Sequence, residues 1–101
     1  MISQQQIKNI AAKIKEITAP KAVYLFGSYA TGTFTENSDL DLAIIKSKIT
    51  NKHQELLQIR KALFDMWIPM DLLIMNEKEY TDKKVIYGTI QYEIANKGQQ
   101  L

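Results

Sequence analysis

Residues 22–45 read AVYLFGSYATGTFTENSDLDLAII. Ala22 to Phe26 is an apolar run containing valine and two aromatics, which predicts a strand. Gly27 to Ser38 is dominated by glycine, serine, threonine and asparagine, which predicts a loop with one helical turn inside it. Leu40 to Ile45 has apolar residues on both faces, the pattern of a strand in the interior of a sheet. The chemistry-bearing residues fall where strand meets loop. Gly27-Ser28 follows the first strand directly, and Asp39-Leu40-Asp41 opens the second after ten intervening residues.

On the N-terminal side, Ile7, Ile10, Ala11, Ile14 and Ile17 recur at helical spacing. Ser3 and Gln6 have the pattern of a capping box, and Pro20 marks a stop, so the helix is expected over about Ser3 to Thr18. On the C-terminal side, Asn51 is the expected N-cap of a second long helix whose buried stripe would be Leu56, Ile59, Leu63, Phe64 and Trp67. Pro69 then opens a third strand, Met70 to Met75, where proline is tolerated at the first position. Asn76 and Asp82 are the expected caps of a short turn and a final helix. That helix would carry Ile86, Ile90 and Ile94 at spacings of four and stop at Gly98. The order α-β-β-α-β-α predicts an α/β (α+β) fold in one domain, residues 1–101, with a small mixed sheet of about three strands covered by helices.

Composition narrows the function. Hydrophobic residues make up 46% and charged residues 24%, an ordinary globular balance. There is no cysteine, which excludes disulfides and thiolate metal sites, and the single histidine, His53, excludes a multi-histidine zinc site. His53 is expected on an exposed first turn of the second long helix. The polar stretch Met1 to Gln6 has no apolar signal core and no run is long enough to cross a bilayer, so a cytoplasmic protein without membrane attachment is expected. Net charge is only +2 and the basic residues, twelve lysines and Arg60, are scattered, so nucleic acid is not an expected partner. A core this small would gain from association, either homo- or hetero-oligomeric.

Asp39 and Asp41 project from the same face of their strand, because side chains alternate. Two such carboxylates at about 4 Å repel by roughly 4 kcal/mol at an effective dielectric of about 20. Divalent cations offset that repulsion, and hard oxygen ligands suit magnesium. If the third strand neighbours the second, Asp71 reaches the same place, and three carboxylates can bind one or two magnesium ions together with phosphate oxygens. Gly27 allows close approach of backbone to ligand, and the Ser28 hydroxyl with nearby N–H groups can cradle a phosphate. Taken singly, each feature has an ordinary reading: Gly-Ser as a turn, Asp-x-Asp as turn capping with solvent exposure, Asp71 as a cap at the strand's start. Their order and spacing together are far more specific.

That combination resembles the signature of the nucleotidyltransferase superfamily that includes DNA polymerase beta. The likeness extends to Ala30 and Gly32 in the loop, to Ser38 and Leu42 flanking the aspartates, to Asp71 in a Pro-Met-Asp-Leu-Leu-Ile strand, and to the ending Ile94 to Leu101. The length matches the minimal nucleotidyltransferase branch. The resemblance implies that Asp39, Asp41 and Asp71 are the catalytic, metal-binding residues. Asp39 and Asp41 would hold two magnesium ions, and Asp71 would bind the catalytic ion and help activate the attacking hydroxyl. Gly27 and Ser28 would hold the terminal phosphates of ATP. The implied chemistry is in-line attack at the α-phosphate with pyrophosphate leaving. Family loops often carry arginines where this chain has Tyr29 and Thr31, which leaves Lys46 or Arg60 to supply that charge.

Minimal nucleotidyltransferases resemble the antitoxin half of two-component systems whose partner is a small helical HEPN-class toxin. The resemblance therefore implies AMP transfer to a tyrosine of such a toxin. Two alternatives stay open: nucleotidyl transfer to a small molecule such as an antibiotic, and a non-catalytic antitoxin acting by binding. Trp67 reads as core or interface rather than a base-stacking platform. The apolar and aromatic residues of the last segment (Tyr80, Tyr87, Ile90, Tyr92, Ile94) exceed what a small sheet covers, which makes part of that surface a candidate interface.

Overall fold

The first helix, α1 (Gln4–Thr18), starts where the capping signature places it. The Ser3 hydroxyl accepts from the Gln6 amide at 3.1 Å, and the Gln6 side chain accepts from the Ser3 amide at 2.8 Å. The helix ends at Ala19 in the left-handed conformation, just before Pro20. The computed structural model describes residues 1–101 and continues with β1 (Ala22–Phe26), a one-turn helix α2 (Ser28–Thr31) and β2 (Leu40–Lys46). Next come α3 (Lys52–Leu63), a single 3₁₀ turn (Phe64–Met66) and β3 (Met70–Asn76). Helices α4 (Glu77–Lys83) and α5 (Ile90–Lys97) and a two-residue strand β4 (Gln99–Gln100) complete the chain. No helix is long and apolar enough to cross a membrane.

The sheet has the order β3-β2-β1-β4. Strand β1 runs antiparallel to both β2 and β4, and β2 runs parallel to β3 with α3 in the crossover. The architecture is thus the expected mixed α/β one, with a fourth strand added. That strand is two glutamines long and has no apolar alternation, so it carried no sequence signal. Gly98 sits just before it. A Cβ there would lie 2.5 Å from the Ile94 carbonyl oxygen and 3.1 Å from that of Leu25, so the glycine serves close backbone approach and keeps a negative φ.

Alternation along the strands sends the core to two faces. On one face Val23, Leu25, Leu40, Leu42, Ile44, Leu72 and Ile74 pack against Ile7, Ile10 and Ile14 of α1 and Ile59 and Leu63 of α3. On the other face Phe26, Ala43, Ile45 and Met75 pack against Tyr80 of α4 and Ile94 of α5.

Two expectations are corrected by the structure. Asp82 does not cap a final helix: it lies inside α4, paired with Lys78, while Asn76 caps α4 and Thr89 caps α5. The Thr89 hydroxyl accepts from the Tyr92 amide and lies 2.9 Å from the Lys83 carbonyl oxygen, which closes the turn between the helices. Ile86 therefore falls in that turn, exposed, out of phase with Ile90 and Ile94. The stripe of the second long helix also ends early. Helix α3 stops at Leu63, and Phe64 and Trp67 emerge into solvent at 72% and 82% exposure. His53 is exposed on the first turn of α3, as expected.

Candidate active site

Strand register sets the geometry. Asp41 pairs with Phe26 on β1 and with Asp71 on β3, so the two aspartates are direct neighbours across a parallel ladder. They lie on the face that carries Ala43, Ile45 and Met75, at the end of the sheet where β2 and β3 begin and β1 finishes. Asp39 stands one residue before β2, exposed, and Asp71 is exposed on β3; Asp41 is half-buried between them. The Pro69 carbonyl oxygen accepts from the Leu40 amide at 3.0 Å and locks the start of β3 to the strand between the first two aspartates.

Gly27 ends β1 with φ 71 and ψ −153, a backbone state reserved for glycine. A Cβ at Gly27 would collide with the Asp41 carboxylate, standing 3.0 Å from its Cγ. Absence of a side chain thus brings the β1–α2 turn directly onto Asp41. Ser28 follows, half-buried, and its hydroxyl makes no hydrogen bond within the protein, so it is free to meet a ligand. The Gly27 carbonyl is occupied by the amides of Ala30 and Thr31, which holds the turn shut. Tyr29 points away from the carboxylates into the core, stacked on Phe34 with ring centroids 4.4 Å apart.

Burial pushes the Asp41 carboxyl above its ordinary value, and the negative charges of Asp71, Asp39 and Glu93 add to the shift. Glu93, in the first turn of α5, escaped sequence reasoning. No local pattern marks it, and only the packing of α5 over this face brings its charge to Asp41. None of Asp39, Asp41 and Asp71 has a basic partner: the chain's ion pairs are Lys46–Glu55 and Lys78–Asp82. Lys46 is thereby committed at the far end of β2. Arg60 lies in a groove with Leu63 and Leu72, on the α1/α3 side of the sheet. Neither supplies charge beside the aspartates.

No three acidic or histidine side chains stand together at metal-ligand spacing. The strand register still places Asp41 directly beside Asp71. An uncompensated set of hard oxygen donors beside a free hydroxyl nonetheless has the chemistry of a divalent-cation and phosphate site. Asp39, Asp41 and Asp71 are the residues that could hold the cation.

The family model described as "Polymerase beta, Nucleotidyltransferase" matches residues 5–101. Among solved structures, a mutant form of the MntA-HpeT toxin-antitoxin aligns with TM-score 0.61 at 20% identity, over 92% of this chain and 70% of that one. A toxin-antitoxin crystallised with AMP-PNP aligns with TM-score 0.56 at 22% identity, over the same shares. At such identities the likeness is one of fold. Caffeine-induced protein 16 of Schizosaccharomyces pombe is 45% identical over 42 residues, 42% of this chain and 4% of that protein's length.

Proposed function

This chain belongs to the polymerase beta nucleotidyltransferase family, and from that premise we propose that it transfers AMP from ATP to a tyrosine hydroxyl of a HEPN-type toxin and so acts as its antitoxin. The observation that carries the reading is the Asp41–Asp71 register with Gly27 pressed onto the Asp41 carboxylate. A serine hydroxyl without a partner in the protein and two neighbouring acids at one sheet end support that reading. The toxin-antitoxin structures that share the fold, one of them holding AMP-PNP, support the choice of nucleotide and partner.

Asp39, Asp41 and Asp71 would hold magnesium. When bound, the cation would offset negative charge on the phosphate oxygens and so leave the α-phosphorus more open to attack. Ser28 donates its hydroxyl to the terminal phosphates, and Gly27 gives them room. Asp71, exposed at the start of the edge strand, is open to an acceptor and orients the attacking tyrosine hydroxyl. The new bond joins the tyrosine oxygen to the α-phosphorus. The bond that breaks joins that phosphorus to the oxygen bridging to the β-phosphorus, so pyrophosphate departs and the hydroxyl proton passes to Asp71 or solvent. The Asp41 carboxylate is half-buried among like charges, which a bound cation would offset.

The test is co-expression with the product of the adjacent reading frame, followed by intact-mass spectrometry and peptide mapping. One or more AMP additions on a partner tyrosine are expected. Tight binding with an unchanged partner mass would establish a contact-only antitoxin, and no binding with transfer to an antibiotic would establish the small-molecule acceptor.

A further inference from the structure

Trp67 is unusual on three counts. It is the only tryptophan, it is 82% exposed, and it holds a left-handed backbone, φ 55 and ψ 33, which bulky side chains seldom adopt. Ala19 is the one other non-glycine residue with positive φ, and it merely terminates a helix. The backbone at Trp67 turns the ring outward against exposed Phe64, with centroids 5.7 Å apart. Together with Arg60, Leu63, Met70 and Leu72 they line a groove of about 400 Å³. Arg60 is the chain's only arginine and has no acidic partner in it. Tryptophan and arginine are the residues most enriched where protein interfaces concentrate their binding energy.

The groove lies at the same end of the sheet as the candidate active site, on the opposite face. Met70, in its wall, precedes Asp71, and the Pro69–Leu40 hydrogen bond ties its rim to the aspartate-bearing strand. Strand β3 is also the sheet edge, paired on one side only. A protein acceptor that straddles the β3 edge to reach Asp71 would cover this surface as well. We infer that the Arg60–Phe64–Trp67 groove is the docking surface for the acceptor protein, taking a segment that presents an apolar side chain flanked by a carboxylate. The carboxylate pairs with Arg60, and the apolar side chain packs between the exposed rings and Met70. This rests on the reading of a protein acceptor in the preceding subsection, and adds where that acceptor is held.

The probe is the product of the adjacent reading frame, titrated against the full chain. Binding is read by calorimetry and by the emission of Trp67, which should shift to the blue as the ring leaves water. Trp67→Ser and Arg60→Glu should each weaken binding at least tenfold. Their circular dichroism and their affinity for magnesium-ATP, measured by equilibrium dialysis, should match the parent. Tyr87→Ser, on the exposed turn between α4 and α5, should bind within twofold of the parent. Should Trp67→Ser fail to fold, Arg60→Glu alone decides. The inference is overturned if the groove variants bind as the parent does, if Tyr87→Ser is the variant that loses binding, or if the parent does not bind. Loss of ATP affinity in Trp67→Ser would also overturn it, by making the groove a nucleotide site. If the groove variants lose binding while the parent transfers nothing, the docking surface stands and the transfer reading falls. If they bind normally while the parent transfers AMP, the reverse holds.

Discussion

The two faces of the sheet are built from the same three long strands but to different ends. The face under α1 and α3 buries fourteen residues in a continuous apolar cluster. The face under α4 and α5 buries six and gives its remaining end to Asp41 and Asp71. The first face gains stability from every residue it covers. The second holds a half-buried Asp41 beside the exposed carboxylates of Asp39 and Asp71, without basic partners, an arrangement that weakens the free protein. Alternation along β2 serves both faces from one strand, with Leu40, Leu42 and Ile44 stabilising the fold while Asp41 stands on the other face beside Asp71.

The contrast can be broken most forcefully from the first face. Ile44, fully buried there, should cost about 2–5 kcal/mol when replaced by alanine. Chemical denaturation should register that loss, and the surviving folded fraction should retain its magnesium response. A loss below about 1 kcal/mol would mean that this face is not the main source of stability.

At the junction of the two faces stands Gly27. Gly27→Ala forces a Cβ into the Asp41 carboxylate at a backbone angle alanine resists, a strain of about 1–3 kcal/mol. The variant should melt at lower temperature and lose transfer activity at least tenfold, since the carboxylate must move. Parent-like melting and activity would show that the turn does not press on Asp41 in solution.

The smallest effect has the most informative sign. The folded-state pKa of Asp41 is raised, so between the unfolded and folded values the native state holds the proton and the unfolded state does not. Stability from this group therefore falls as pH rises through that window, and the penalty persists above it. Metal-free Asp41→Asn should be neutral to slightly stabilising at pH 7, with the gain fading below pH about 4, the ordinary carboxylate range. Magnesium should raise the melting temperature of the parent more than that of the variant. Thermal scans across pH, with and without magnesium, give both readouts. A metal-free variant less stable than the parent at pH 7 would erase the contrast between the faces.

Legibility in the sequence divided along the same line. Ile7, Ile10 and Ile14 at helical spacing, and the run from Leu40 to Ile45, announce the first face because periodic burial leaves a periodic pattern. The Gly27-Ser28 and Asp39-x-Asp41 spacing was legible for the same local reason, and Asp71 needed only the parallel pairing of β2 with β3. What escaped depends on contacts distant in sequence. Glu93 reaches Asp41 only through the packing of α5, and β4 exists because a short segment returns to β1. Ile86, Ile90 and Ile94 were spaced for one helix, but the hydroxyl of Thr89 offered the backbone a cap that divides it. Phe64 and Trp67 continued the stripe of α3 on paper, whereas the chain leaves the helix at Leu63 and turns them outward.

The central claim is that the uncovered end of the second face performs nucleotidyl transfer through its aspartates. Transfer of label from α-labelled ATP to the co-expressed partner, by the parent and by Asp39→Asn and Asp41→Asn at saturating magnesium, tests it most directly. Each substitution keeps shape while removing a charged ligand, so transfer should fall at least about a hundredfold with circular dichroism unchanged, a loss of about 2.7 kcal/mol in transition-state stabilisation. Near-parental transfer by either variant would contradict the account.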